Sequence, residues 1–182
     1  MLGALRRYGS IIAPRSPRLA RHARAILAFM QDRAALTREL EETWHRDIPL
    51  AAAMRIAVQG YDGRTLTVRA PLAANRNLHG TAFAGSVFSI CVLAGWGAAW
   101  LAWREHGSIG LIVVSDSKIQ YRKAVTGDLV CLCAPDSAAV AAALEQFRGT
   151  GRASLSLDCT IDVGERRAVT FTGTYVVQTT RH

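Results

Sequence analysis

Residues 80–103 form a run of 24 without a single charged side chain, opening after His79 and closing at Arg104. A stretch of that length has two stable solutions, a helix across a bilayer or a helix buried on all sides inside a folded domain. The run contains Gly80, Gly85, Gly95 and Gly97 together with Thr81, Ser86 and Ser89. What decides between the two solutions is whether the flanking sequence can supply a sheet to wrap the helix.

It can. Over residues 154–163, Leu155, Leu157, Cys159, Ile161 and Val163 alternate with Ser154, Ser156, Asp158, Thr160 and Asp162, a period of two with one buried face. After a turn at residues 164–167, Val169, Phe171, Tyr175 and Val177 oppose Thr170, Thr172 and Thr174, so these two runs predict an antiparallel hairpin. Residues 54–59 and 65–70 flank an Asp62-Gly63 turn signal and predict another hairpin before the apolar run. Residues 111–121 and 128–134 add two strands around Thr126-Gly127. Residues 138–147 read as a short helix or as a loop with an apolar stripe. Six strands, with one long apolar helix between the second and third, predict an α+β domain whose antiparallel sheet curls around that helix.

The chain is 182 residues long, enough for one domain plus an extension, and at this size neither disulfides nor a structural metal are needed for stability. Its net charge of +8 resides mostly at one end, because Arg6, Arg7, Arg15, Arg18, Arg21 and Arg24 precede the first acid, Asp32. The rest has 16 basic against 14 acidic residues, which gives no polyanion-binding composition and argues against a nucleic-acid partner. Residues 1–30 therefore read as a basic, mobile N-terminal extension, with an amphipathic helix available over 18–30, and residues 31–182 as a single domain. Leu36, Leu40 and Trp44 recur every four residues and predict a surface helix over 32–45, ending before Ile48-Pro49.

Cys91, Cys131, Cys133 and Cys159 form no CxxC pair, and no Cys/His cluster has zinc spacing, so neither a metal nor a disulfide framework is expected; reduced core thiols suit the cytoplasm.

Several segments together name a family. Ile48-Pro49-Leu50, Tyr61-Asp62-Gly63, Ala70-Pro71-Leu72, the Asn-rich stretch Asn75-Arg76-Asn77-Leu78-His79-Gly80-Thr81-Ala82-Phe83-Ala84-Gly85-Ser86, and Ala94-Gly95-Trp96 resemble the thioesterase-like YiiD C-terminal family of the hotdog superfamily. Residues 115–128, Ser-Asp-Ser-Lys-Ile-Gln-Tyr-Arg-Lys-Ala-Val-Thr-Gly-Asp, resemble the strand and turn that follow the central helix there. The resemblance covers residues 48–177. It implies a hotdog fold, a homodimer or higher homo-oligomer formed through the sheet, and hydrolysis of an acyl thioester. Coenzyme A or an acyl carrier protein would be the thiol carrier, its pantetheine arriving with the substrate and not as a resident cofactor.

Such chemistry needs an oxyanion donor, a means of activating water and an apolar slot. Gly85 and Ser86, at the start of the apolar helix, are the candidate oxyanion site, with Ser86 able either to cap the helix or to bond the thioester oxygen. Ser86 lacks the second glycine of a Gly-x-Ser-x-Gly elbow and is not read as a nucleophile. Many hotdog hydrolases carry a carboxylate on the central helix; here Phe83 stands in place of the usual histidine and Val92 near the usual acid. The remaining catalytic candidates are His79 as general base, Asn77 (or Asn75) to orient water or polarise the carbonyl, and Asp116 on the following strand. Asn75 is a candidate for substrate binding, Phe83, Phe88 and Trp96 for the apolar slot, and Arg122 and Lys123 for contact with a carrier's phosphates or acids. Two alternatives stand beside the hydrolase: a non-catalytic module that binds acyl-CoA or acyl carriers, and a membrane-associated protein using residues 80–103.

Overall fold

The structure is a computed structural model that describes the backbone of residues 17–179 and the side chains of residues 32–179. The expected mobile extension over residues 1–30 thus lies outside the residues whose side chains are described. From Leu36 onward the chain is one compact unit.

Helix α1 runs from Pro17 to Asp47. Proline suits a first helical position because its missing N–H would be unpaired there anyway. The sequence reading separates a segment over 18–30 from a helix over 32–45, whereas the backbone is one continuous helix through both. It stops where expected, since Pro49 drives Ile48 into extended backbone and itself begins the short helix α2, Pro49–Ala53. Strands β1, Ala57–Tyr61, and β2, Leu66–Ala70, form the first hairpin. In its turn the Asp62 carboxylate accepts from the N–H groups of Arg64 and Thr65, at 2.8 and 2.6 Å, and Gly63 takes a φ of 92°.

Next come α3, Leu72–Asn75, and the central helix α4, Ala84–Glu105, followed by β3, Leu111–Tyr121, and β4, Leu129–Cys133. Residues 138–147, left open between helix and loop, lie in helix α5, Ser137–Thr150. Asp136 caps its start by accepting from the Ala139 N–H at 2.8 Å, and Gly151 ends it at a left-handed φ of 72°. The long hairpin of β5, Arg152–Val163, and β6, Arg166–Gln178, completes the chain.

All five strand pairings are antiparallel, in the order β1-β2-β4-β5-β6-β3. The last insertion in that order matters most for function: β3 follows α4 directly but pairs with β6, which puts it at the sheet's edge. The other strands alternate as read, with Leu155, Leu157, Cys159, Ile161, Val169, Phe171, Tyr175 and Val177 all buried.

The sheet wraps α4, which packs against every strand from β2 to β6. Helix α4 is long and apolar enough to cross a membrane, yet Val87, Ile90, Leu93, Ala94, Ala98, Leu101 and Trp103 are buried in the protein core. The run is therefore the core helix and not a lipid-facing span. Gly97 lets α1 close over it, because a Cβ at that position would lie 2.7 Å from the Trp44 Cζ2 atom. Trp44 and Leu40 are fully buried there, and large apolar side chains of this kind contribute roughly 1.5–3 kcal/mol each.

Candidate functional site

The first turn of α4 is bare of side-chain caps. Its N-cap residue is Phe83, which makes no capping hydrogen bond, and the first N–H bonded back into the helix is that of Val87, to the Phe83 carbonyl at 3.0 Å. The amides of Ala84, Gly85 and Ser86 thus belong to the unpaired set at a helix start, where the macrodipole favours negative charge. The Ser86 hydroxyl is not the cap: it lies inside the helix, past the N-cap position held by Phe83, where no side-chain capping bond is made.

A cleft of about 300 Å³ opens beside this turn, lined by Asn77, Ala82, Ala84, Val87, Tyr121, Arg122, Lys123, Ala124, Val125 and Val169. Its wall on the helix side is a finger of chain, residues 76–83, held by backbone bonds from Ala82 N–H to the Val125 carbonyl at 2.8 Å and from Phe83 N–H to the Asn75 carbonyl at 2.7 Å. Asn77 organises the finger from within. Its Oδ1 accepts from the amides of His79 and Thr81, and its Nδ2 donates to the Thr81 hydroxyl and, at 3.4 Å, to the Ala82 carbonyl. At the tip, Gly80 takes a φ of 77°, and Leu78 and His79 stand exposed.

Of the residues expected here, Asn77, Arg122 and Lys123 line the cleft and the others do not. Asn75 is only 2% exposed, and its amide donates to the carbonyls of Met54 and Pro71 at 2.9 and 2.8 Å; it braces the finger from beneath, with its Oδ1 buried and unpartnered. The ring of Phe83 lies over Gly85, where a Cβ would stand 3.1 Å from Cδ1, so the space left by that glycine is taken by a neighbour's ring and not held open for a ligand. Phe88 packs edge to face on Phe171, ring centroids 5.8 Å apart, and Trp96 donates from Nε1 to the Ile112 carbonyl at 3.0 Å. Asp116 sits on the exposed edge strand beside a bulge at Ser115, its carboxylate accepting from the Ser117 amide at 2.8 Å. No hydrogen bond or ion pair joins it to His79.

Both cations are available at the cleft. Arg122 bonds the Gln120 amide oxygen at 2.6 Å, and among the described residues neither Arg122 nor Lys123 has a carboxylate partner. Their backbone amides both donate to the Ala168 carbonyl, at 2.8 and 3.2 Å, fixing the segment against β6.

A second cavity, about 190 Å³, lies at the opposite end of α4 among Tyr61, Arg64, Ala98, Ala102, Glu105 and His106. There the helix presents carbonyl ends and the Glu105 carboxylate, which oppose a developing oxyanion. The cleft at the helix start is the better candidate on electrostatic grounds.

Residues 37–179 match the sequence profile of the family described as "Putative thioesterase (yiiD_Cterm)". The chain belongs to this family. Among solved structures it is similar to a "putative thioesterase" from Shewanella oneidensis, at 32% identity and a TM-score of 0.75, covering 80% of this chain and 99% of that one. It is also similar to a protein of unknown function from Chlorobaculum tepidum, at 27% identity and a TM-score of 0.78, over 81% of this chain and 97% of that one. The E. coli PaaI protein from the phenylacetic acid degradation operon shares the fold at 13% identity and a TM-score of 0.56, over 81% of this chain and 96% of that one. The fold is thus the hotdog, as the resemblance implied.

Within this thioesterase family setting, the one polar side chain of the lining that escapes the sequence reading is that of Tyr121. Tyr121 donates its phenol to the Ala84 carbonyl at 3.0 Å, and partial burial raises its pKa above the ordinary phenol range. The one signal in the sequence is an aromatic residue directly ahead of the Arg122-Lys123 pair; that it reaches the helix start depends on β3 lying at the edge. Among the described residues no acid lines the cleft, and no cluster of three or more His, Cys, Asp or Glu is placed to hold a metal.

Proposed function

We propose that the protein is a hydrolase of acyl thioesters, acting on acyl-CoA or acyl carrier protein in the cytoplasm. The observation that carries this reading is the uncapped start of α4 beside a cleft whose other wall bears Arg122 and Lys123. The phosphates of a pantetheine carrier meet the two cations. The thioester oxygen meets the unpaired amides at the start of α4, where Ala84 lines the cleft; the amides of Gly85 and Ser86 and the Ser86 hydroxyl, outside the lining, join once the Phe83 ring moves off Gly85, and these dipoles stabilise the charge that develops as water attacks the carbonyl carbon. The C–S bond then breaks and the thiol leaves with a proton. His79 takes the proton from water, Asn77 holds the finger that carries it, and Asp116 is the other candidate base.

The working unit in this reading is a homodimer joined along β3. That strand has an unpaired edge and shows Leu111, Val113 and Val114 to solvent, a combination that free strands rarely keep. A second copy pairing there extends the sheet and covers the apolar side chains. Light scattering is expected to give twice the chain mass for the wild type and a shift toward the chain mass for Val113→Lys.

The absence of any carboxylate on α4 between Ala84 and Trp103, and of any acid lining the cleft, favours a second reading, a module that binds acyl thioesters without turnover. Thiol release from a panel of acyl-CoAs, acetyl to palmitoyl, with His79→Ala and Asp116→Ala alongside, separates the two. Turnover lost in either variant identifies the base. Saturable binding without turnover supports the module, and neither binding nor turnover with CoA or carrier-protein esters overturns both.

A further inference from the structure

We infer that Tyr121 limits the length of the acyl group the cleft accepts; the inference rests on the acyl-thioester reading above and names the specificity residue of that site. The lining of the cleft combines charged and apolar side chains. Arg122 and Lys123 are exposed, while Val87, Val125 and Val169, which line the same cleft, are buried. Tyr121, half exposed, lines the cleft with them, and its hydroxyl is tied to Ala84 in the first turn of α4.

Its position is held from two sides. The two amides that follow it are pinned to the Ala168 carbonyl, so the backbone at the end of β3 has little freedom to carry the ring elsewhere. Within the single chain the ring itself is held by one hydrogen bond in a partly exposed setting, a contact with a net worth of only about 1 kcal/mol. With that bond made, the cleft has about 300 Å³, at the small end of the range for ligand sites of roughly 300–1,000 Å³. A short acyl group fits beside the tyrosine. A long chain needs the ring removed or swung aside, at the cost of the Ala84 bond.

The test measures kcat/KM for butanoyl-CoA and dodecanoyl-CoA, and equilibrium binding of the matching non-hydrolysable thioether analogues, for the wild type, Tyr121→Phe, Tyr121→Leu and Tyr121→Ala. The wild type is expected to favour butanoyl. The dodecanoyl-to-butanoyl ratio should rise by about tenfold or more in Tyr121→Ala, the scale on which a pocket discriminates methylene content, and by less in Tyr121→Phe, which keeps the ring and loses the tether. Tyr121→Leu, a partial truncation, should fall between them and serves if the alanine variant is unstable. An unchanged ratio in variants with wild-type denaturation midpoints overturns the inference while leaving the thioester reading intact. A wild type that neither binds nor cleaves any acyl-CoA or acyl carrier ester overturns the reading and the inference together.

Discussion

The hydroxyl end of Tyr175 occupies the space that a side chain at Gly95 would need. A Cβ at position 95 would stand 2.6 Å from the Tyr175 Cζ and closer still to its oxygen. The tyrosine, fully buried on β6, thereby reaches across α4 and donates to the Val92 carbonyl at 2.9 Å. One glycine on the central helix and one tyrosine on the sheet fix how the two layers meet.

Gly95→Ala is accordingly expected to destabilise the protein by about 1–3 kcal/mol, the usual cost of overpacking a filled core. Removing the phenol oxygen relieves the tightest part of the clash, so Gly95→Ala combined with Tyr175→Phe should lose less than the sum of the two single changes. Urea denaturation of all four proteins measures it. A fully additive double variant would show that the two residues do not compete for that space.

Asn77→Ala should cost about 1–2 kcal/mol, because the half-buried amide joins four groups of the finger and leaves some of them unpaired when removed. His79→Ala, at an exposed position without a side-chain partner, should change stability by less than about 0.5 kcal/mol. The contrast makes the two variants useful together. A loss of thioester turnover in the His79 variant would then be chemical, whereas a loss in the Asn77 variant would follow the finger's order.

Stability should fall at alkaline pH. The Cys133 thiol is pushed well up by its contact with Cys159 and by burial, and Cys159 by its contact with Cys131 and by burial. Cys131 is also raised, the lowering effect of Cys159 being outweighed by Cys91 and burial. An acid with a raised folded pKa contributes fully below its unfolded value and loses that contribution as pH climbs past it toward the folded value. The unfolded thiols ionise near 8.5, so each buried one should weaken the fold by up to about 1.4 kcal/mol per pH unit beyond that point. Tyr175, held up mainly by burial, adds to the decline above pH 10 or so. Denaturation midpoints that stay flat from pH 8 to 10.5 would contradict the buried thiol cluster.

The acid side turns on Asp128. Its carboxylate accepts from the Leu72 amide at 2.9 Å and pairs with Arg69 at 2.6 Å, and those two contacts, in that order, hold its pKa below the usual value. A carboxyl depressed in the folded state contributes above its unfolded pKa near 4 and ceases to contribute as pH falls through the folded value. Asp128→Ala should therefore lower the denaturation midpoint at pH 7 and converge on the wild type in acid, below the folded pKa. An equal difference at both ends would assign the effect to packing and not to charge.

Most of the architecture was legible residue by residue. The alternation in residues 154–163, the uncharged run at 80–103, the Asp62-Gly63 turn and Pro49 each state a local preference, and backbone sterics and burial periodicity act over a few residues. Those signals suffice for six strands and a wrapped helix. The resemblance carried by the Asn-rich stretch then pointed to the cleft through Asn77, Arg122 and Lys123.

What local pattern could not express are the long-range pairings. Residues 111–121 read as one more strand with nothing to say which neighbour it takes; β3 pairs with β6 alone and forms the sheet's edge, with Leu111, Val113 and Val114 exposed. Asn75 and Asn77 look equivalent in the sequence, but one is buried as a brace and the other lines the cleft. Gly85 and Gly95 each leave a space, and which side chain fills it, Phe83 or Tyr175, depends on the register of the sheet around the helix. Tyr121 meets Ala84 across 37 residues for the same reason. The sequence commits each segment to a shape and a buried face; three-dimensional packing then selects its neighbours, because the free energy of a contact belongs to two segments at once and is written in neither alone.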